Sequence, residues 1–306
     1  MSNKGKANLL LFITAFIWGT AFVAQKSGGE IGAFTFNGIR TFIGGLVLLP
    51  FVFRGRKDKS QPLFTRDELI GGIVCGFFLF TAASLQQFGL AYTTAGKAAF
   101  ITTLYVVFCP ILSLIFLRKK TRPLVWLCVV LDIIGLYLLC MTDASFSIQI
   151  GDTLVILCAV MFAAQMTAVD VYVSKADGLK LSCVQFLFSG LLGIICMFIF
   201  ESPVSLSNIM SGWFEILYAG VISCGIGYTF QVLGQREADP TIAALILCLE
   251  SVFGVLAGAV LLGETMSMRE ILGCVIMFAA VVISNLPEKT PKADAAEGGG
   301  ELPENY

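Results

Sequence analysis

Apolar residues run along this chain in stretches of membrane length, near residues 8–26, 32–53, 69–92, 96–117, 123–141, 151–173, 181–201, 212–234, 240–262 and 268–286, parted by short polar breaks. A hydrocarbon core ~30 Å thick takes about 20 helical residues to cross, so the pattern predicts ten transmembrane helices with no room for a soluble domain between them. The chain also reads twice. Gln86, Gly89, Ala98, Ala99, Ile101, Leu104, Val107, Phe108 and Leu117 recur as Gln231, Gly234, Ala243, Ala244, Ile246, Leu249, Val252, Phe253 and Leu262, each 145 positions later. Five spans per copy is an odd number, so the second copy must lie upside down relative to the first. The expected fold is all-α and integral to the membrane: ten helices as two inverted five-helix repeats, residues 1–145 and 146–290, meeting near Ser145. The tail over 291–306 is polar and Gly-rich, has no periodicity, and reads as disordered.

Composition sharpens this picture. The 306 residues are 57% hydrophobic and 13% charged, too little polar surface to cover a water-soluble globule of that size. The net charge of −1 says little, but its distribution sets an orientation. One side of the predicted membrane collects Lys4, Lys6, Arg54, Arg56, Lys57, Lys59, Arg66, Arg118, Lys119, Lys120, Arg122, Lys175, Lys180, Arg236, Lys289 and Lys292; the other receives Lys26 and Arg269. Basic loops stay inside, which places both termini in the cytoplasm of a multi-pass cell-membrane protein. Asp143, Asp152, Glu201, Glu215, Glu264 and Glu270 fall mostly on the outer side. No cleavage pattern follows Met1–Ala7, so the first span reads as a retained anchor. All ten cysteines lie in apolar spans, with no CxxC pair and no histidine as co-ligand, and read as small packing residues; no metal or cofactor is expected. No GxxxxGK[ST] loop is present to drive pumping with ATP.

Several segments together resemble a known group. FIWGTAFVAQ in span one, FNGIRTFIGG in span two, the hairpin GLAYTTAGKAAFITTLYVVFCP and LLGETMSMREILG at the end of span nine are similar to the drug/metabolite transporter superfamily, in its EamA-like branch of ten-span exporters. The resemblance covers roughly residues 8–286. It implies a transporter of small metabolites or drugs, amino acids and nucleobases among them, and leaves the solute open. One departure stands out: where the second copy has Gly263 and Glu264, the first has Arg118 and Lys119.

Ionisable groups at mid-span are costly and mark cavities or partners. Arg40, Asp132 and Glu250 are placed so. Glu250 has Tyr105 as its counterpart in the other copy, and reads either as a proton or amine site or as a partner of Arg40 or of the Tyr105 hydroxyl. Arg40 matches an arginine that recurs in the family's second span; a structural pair with Glu250 or Asp132 is the favoured reading, and a hold on an anionic solute group the other. Asp132 reads as mainly structural, in a span the resemblance places at the periphery. Lys97, at the outer end of span four where the helix dipole disfavours a cation, is a candidate for gating or solute contact, with snorkelling as the bland account. Asp170 reads as interfacial. Gln86 and Gln231 occupy matched positions and serve either solute binding or interhelical glue, as Gln25, Asn37, Gln87 and Gln165 could. Trp18, Tyr105, Tyr228 and Phe230 could wall an apolar pocket. Gly72 with Gly76, and Gly254 with Gly258, form small-residue faces for close helix packing, or for sliding.

Alternating access about a midplane site is therefore the expected mechanism, with the solute and the lipid bilayer as partners, no nucleic acid, and a monomer or homodimer as the assembly. With no histidine, proton coupling would fall to a carboxylate, Glu250 being the best placed. The alternatives are a facilitative permease without ion coupling and, further off, a membrane-embedded enzyme. For the enzyme the nearest match to GxGD is Gln149-Ile150-Gly151-Asp152, which lacks the first glycine. A channel would call for a ring of like polar groups, which the scattered charges do not supply.

Overall fold

The computed structural model describes residues 3–27, 31–56, 60, 62–92, 95–141, 149–201, 206–262 and 266–286. Its helices are α1 (Asn3–Ser27), α2 (Ala33–Gly55), α3 (Arg66–Leu90), α4 (Ala95–Thr103), α5 (Tyr105–Leu117), α6 (Pro123–Cys140), α7 (Ile150–Val173), α8 (Gly178–Phe200), the short α9 (Leu206–Ser211) and α10 (Trp213–Leu217), a π-helical stretch (Tyr218–Tyr228), α11 (Thr229–Gln235), α12 (Pro240–Leu247), α13 (Leu249–Leu262) and α14 (Met268–Ser284). Among the described residues there is no strand. Among the described residues, eight helical segments are long and apolar enough to cross a bilayer. The expectation of ten spans is met to that extent; α1 and the 17-residue α14 flank the eight. The loop around Ser145, the residue pair Gly263 and Glu264, and the tail from Pro287 lie outside the described residues.

Local chemistry starts the helices where the pattern asks. Thr65 with Glu68 and Ser267 with Glu270 form capping boxes at the heads of α3 and α14, and Asp177 and Asp239 accept from the first amides of α8 and α12. Each satisfies donors that a helix start leaves orphaned. Large apolar side chains such as Phe116, Phe198 and Val260 face outward, as they must where the solvent is lipid.

The inversion follows from which ends meet. Asn8 near the start of α1 donates to Asn285 just past α14 at 2.8 Å, and Arg122 before α6 donates to the Ser284 carbonyl at 3.1 Å. Lys119 past the end of α5 pairs with Asp170 near the end of α7 at 2.6 Å, and Lys180 at the head of α8 lies 3.6 Å from Glu68 at the head of α3. One face thus holds the start of α1 and the end of α7, the first helix of each copy, which run in opposite senses. Asp170, expected to be interfacial, forms an ion pair near the end of α7. On the opposite face Glu201, past α8, accepts from the amides of Phe34 and Thr35 and from the Thr35 hydroxyl, at 2.7–2.8 Å. It caps α2 from the other copy.

The offset of 145 extends beyond the hairpins that reveal it in sequence. Ala33–Gly55 shifted by 145 becomes 178–200, the span of α8, and α2 packs directly on α8, its own counterpart. A methyl group added at Gly45 would meet Leu187, and one added at Gly190 would meet Phe42; both pairs are related by the same shift. Backbone meets backbone at Gly38 and Gly193, where a methyl group added at Gly193 would stand 2.5 Å from the facing Cα. α6 and α14 likewise cross through Gly135 and Gly273. Of the glycine faces expected from sequence, Gly72 and Gly76 lie against Val184 and Gln185, and Gly254 faces the Gly19 carbonyl.

Two spans expected to be continuous are broken. Leu104 interrupts α4 and α5, and Cys248 interrupts α12 and α13. No proline or glycine stands at either point. Val107 N–H turns to the Leu104 carbonyl at 2.9 Å and Ser251 N–H to the Cys248 carbonyl at 3.1 Å, a three-residue reach in place of four. In the first copy Thr103 contributes locally, its hydroxyl donating back to Ala99 and Phe100 carbonyls at 2.9 and 3.0 Å, a bond that bends helices. α5 then ends in Arg118 at φ 53°. The second copy carries glycine, Gly263, at the equivalent position, the residue such a left-handed cap favours.

Candidate functional site

The two breaks meet at the centre of the molecule. Cys248 S–H donates to the Thr103 carbonyl at 3.6 Å, and Tyr105 O–H donates to Glu250 Oε1 at 3.5 Å. In both contacts the partners stand 145 residues apart, so each residue touches its own counterpart. Only positions on the pseudo-two-fold axis can do that. Glu250 and Tyr105 therefore mark the axis, each one or two residues past a broken helix.

Beside them lies a hollow of about 560 Å³, counting the space at its mouth, lined by Trp18, Arg40, Gln86, Thr102, Tyr105, Phe162, Gln165, Met166, Ser223, Tyr228, Gln231 and Glu250. Both copies supply its walls. Its mix of aromatic walls with a few convergent polar groups is the usual chemistry of small-molecule sites. Seven of the eight residues expected from sequence to serve the solute line this one space; Lys97 falls in α4 and its side chain lies outside the described residues. Phe230, the other expected aromatic, does not line it, and the side chain of Gln25 also lies outside the described residues.

One wall is aromatic. The Trp18 indole donates to the Ser223 carbonyl at 3.4 Å and lies 4.4 Å from the Tyr228 ring, which meets Phe186 edge-on at 5.8 Å. The π-helical stretch makes this possible: its wider turn, with Gly227 directly against Trp18, brings Ser223 and Tyr228 to the same side. Wide turns of this kind recur at functional sites.

Arg40 stands differently from expectation. Among the described residues it forms no ion pair, either with Glu250 or with Asp132. Its guanidinium carbon lies 5.2 Å from the Phe36 ring centre, and its Nε has no hydrogen-bond partner. The physical reason is position: Glu250 is held on the axis by Tyr105, and Asp132 lies behind the Cys248 break, outside the hollow. A guanidinium with no ion-pair partner among the described residues thus lines the cavity. The position 145 residues on is Gln185, a neutral amide.

That amide belongs to a buried chain. Gln165 donates to Gln185 at 3.0 Å, Gln231 donates to Gln165 at 3.2 Å and to Gln235 at 3.0 Å, and Gln235 donates to the Met166 carbonyl at 3.1 Å. The chain ties α7, α8 and α11 together. Gln86 donates to Thr102 at 3.2 Å across the first copy's hairpin, and Asn37 donates to the Ala83 carbonyl at 3.1 Å. Matched Gln86 and Gln231 thus act as interhelical glue and line the hollow at once; the Gln231 carbonyl oxygen has no partner among the described residues. Gln231→Leu is expected to leave partners on Gln165 and Gln235 stranded and to cost about 1–3 kcal/mol, read as a lower thermal midpoint of the purified protein. An unchanged midpoint would mean that the chain contributes no net stability.

Sequence reasoning missed Thr102, Phe162, Met166 and Ser223 as lining residues, and Gln185 and Gln235 as members of the amide chain. Extending the 145-residue shift from Arg40 to Gln185 would have flagged one of them. Asp132, expected to be a peripheral structural residue, is fully buried, and neither of its carboxyl oxygens has a hydrogen-bond partner. Among the described residues no cluster of possible metal ligands occurs. The ten cysteines are free, most of them buried between helices.

Comparison with known proteins bears on the whole chain. A family model described as the EamA-like transporter family matches twice, over residues 5–141 and 149–286. An "uncharacterized transporter" of Archaeoglobus fulgidus is 29% identical over 287 residues, covering 92% of this chain and 86% of that protein. The "uncharacterized inner membrane transporter YedA" of Escherichia coli K12 is 25% identical over 285 residues, covering 90% and 89%. A solved crystal structure superimposes with a TM-score of 0.77 over 92% of this chain and 96% of its own, at 18% identity, which supports the shared helical architecture.

Proposed function

This chain belongs to the EamA-like transporter family, and from that premise we propose that it is a secondary transporter that exports or exchanges a small metabolite or drug by alternating access around the central hollow. The observation that carries this reading is the meeting of Tyr105 and Glu250 on the axis between two inverted copies, beside a cavity to which both copies contribute. Inverted repeats with broken helices at a midplane site are the architecture of many secondary transporters. The two copies, residues 1–145 and 146–290, rock about that site. The face that gathers the basic residues is cytoplasmic, and both termini with it.

The lining suggests what the solute carries. Arg40 cannot shed its proton, so an unpaired guanidinium at this depth calls for an anionic group on the ligand. Glu250 offers the complementary carboxylate, either for a basic group of the solute or for a proton that drives its movement. Trp18, Tyr228 and Phe162 would bury an apolar body. A solute with an acid group on an apolar or aromatic frame, such as an amino acid, meets all three; a neutral nucleobase leaves Arg40 unsatisfied.

The test is a thermal-shift screen of purified protein against amino acids, other organic acids, nucleobases, polyamines and cationic drugs. Acid-bearing solutes are expected to raise the midpoint, and Arg40→Gln to weaken that stabilisation by about tenfold in concentration, the loss of one charge-assisted hydrogen bond of about 1.5 kcal/mol. Stabilisation by cationic drugs alone, undiminished in Arg40→Gln, would reject the role given to Arg40.

A further inference from the structure

Asp132 is the most deeply buried carboxylate outside the hollow among the described residues. It stands in α6, and both carboxyl oxygens lack a hydrogen-bond partner. Its polar neighbour is the Cys248 thiol at the break between α12 and α13. That thiol also adjoins Tyr105, and Tyr105 donates to Glu250 at 3.5 Å. Asp132, Cys248, Tyr105 and Glu250 are therefore contiguous, all buried, and drawn alternately from the two copies.

A carboxylate with only a weak thiol donor near it, and among the described residues no cation paired to it, is among the most costly groups a membrane interior can hold. Its charge must be cancelled by something bound. Among the described residues no cluster of possible metal ligands occurs around Asp132: on its own helix Cys128 lies one turn away, and on α14 the ionisable Cys274 and Glu270 bear on Cys140 while Arg269 lies over Tyr137. The proton is the cation that fits.

We propose that Asp132 is a second proton-binding site, joined to Glu250 through Cys248 and Tyr105, so that the two carboxyls exchange one proton across the helix breaks. This rests on the reading of Glu250 as the coupling group. In the transfer the Asp132 O–H passes its proton to Cys248 Sγ, the thiol proton passes to Tyr105 Oη, and the phenol proton passes to Glu250 Oε1. Cys248 and Tyr105 end neutral as they began, Asp132 is left an anion, and Glu250 a neutral acid. For the middle step the thiol must turn from the Thr103 carbonyl, which it engages at 3.6 Å, toward Tyr105. Proton position would thereby be tied to the contact that locks the two broken helices together, which gives the coupling a mechanical output.

Infrared difference spectroscopy of the full chain in lipid vesicles, titrated with acid and base and with no solute present, reads this directly. The wild type is expected to show two protonated-carboxyl bands that titrate as a coupled pair. Asp132→Asn should remove one band and shift the midpoint of the other by about one pH unit, the scale at which interacting sites share macroscopic constants. Glu250→Gln should remove the other. Cys248→Ala keeps both carboxyls and so tests the link even where Asp132→Asn fails to fold; it should retain both bands and make their titrations independent. Loss of the Glu250 band with no change in Asp132→Asn overturns the proposal and leaves Glu250 as the coupling group. A spectrum unchanged in Glu250→Gln overturns the Glu250 reading itself. Coupling that survives in Cys248→Ala overturns the connecting route.

Discussion

Glu250→Gln is expected to cut pH-gradient-driven flux of a bound solute by about tenfold or more, the factor that each 1.4 kcal/mol of lost coupling removes, while leaving solute counterflow close to wild type. The substitution keeps the shape of the side chain and its contact with Tyr105, and it removes the capacity to take up and release a proton. A gradient can bias alternating access only through a group whose two protonation states prefer different conformations. Glu250 sits on the axis, where the conformations of both copies are felt equally. Counterflow needs no net proton movement, so it isolates solute binding from coupling. Reconstituted vesicles, with flux followed under an imposed pH gradient and then under a solute gradient alone, separate the two. Undiminished gradient-driven flux would reject Glu250 as the coupling group; a wild type that shows no gradient-driven flux at all would point to the facilitative permease instead.

Gly193→Val is expected to lower stability by about 1–3 kcal/mol, the usual cost of forcing extra volume into a packed interface. α2 and α8 cross at Gly38 and Gly193, where even a methyl group at Gly193 would stand 2.5 Å from Gly38 Cα and 2.9 Å from its nitrogen. Backbone cannot step aside as a flexible side chain can, so the two helices must separate. Because they are counterparts in the two copies, separation loosens the whole assembly, not one corner of it. Thermal unfolding in detergent measures the loss. Gly55→Val is the matched control, since nothing lies within 4 Å of the added group there; equal drops at both positions would contradict the packing account.

Most of the architecture was legible in the residues because the membrane imposes it. Length and hydropathy place helices wherever a bilayer must be crossed, and the run from Arg118 to Arg122 against the scarcity of basic residues on the other side predicts which ends meet. The matched Gln86 and Gln231 pointed to the hollow, and the mismatch of Tyr105 with Glu250 pointed to its axis. Arg40 was less legible. Its charge and depth could be read, but the absence of a partner could not, since whether Asp132 and Glu250 come within reach depends on how α2, α6 and α13 are arranged. The breaks at Leu104 and Cys248 carry almost no local signal: neither proline nor glycine is there, and Thr103 is a common residue in intact helices.

The sequence by itself determined the class of the molecule, its duplication, the inverted sense of the two copies and the identity of the polar residues confined within the bilayer, because these follow from hydropathy, from counting and from the cost of burying charge. Tertiary structure alone decided which of those residues share a cavity and which are left unpaired. A residue meets its own counterpart only where the pseudo-two-fold axis passes, and the axis is set by the close contacts of α2 on α8 and α6 on α14. Those contacts depend on distances between helices far apart in the chain, so Tyr105 against Glu250, Cys248 against Thr103, and the isolation of Asp132 arise from packing and from no pattern along the chain.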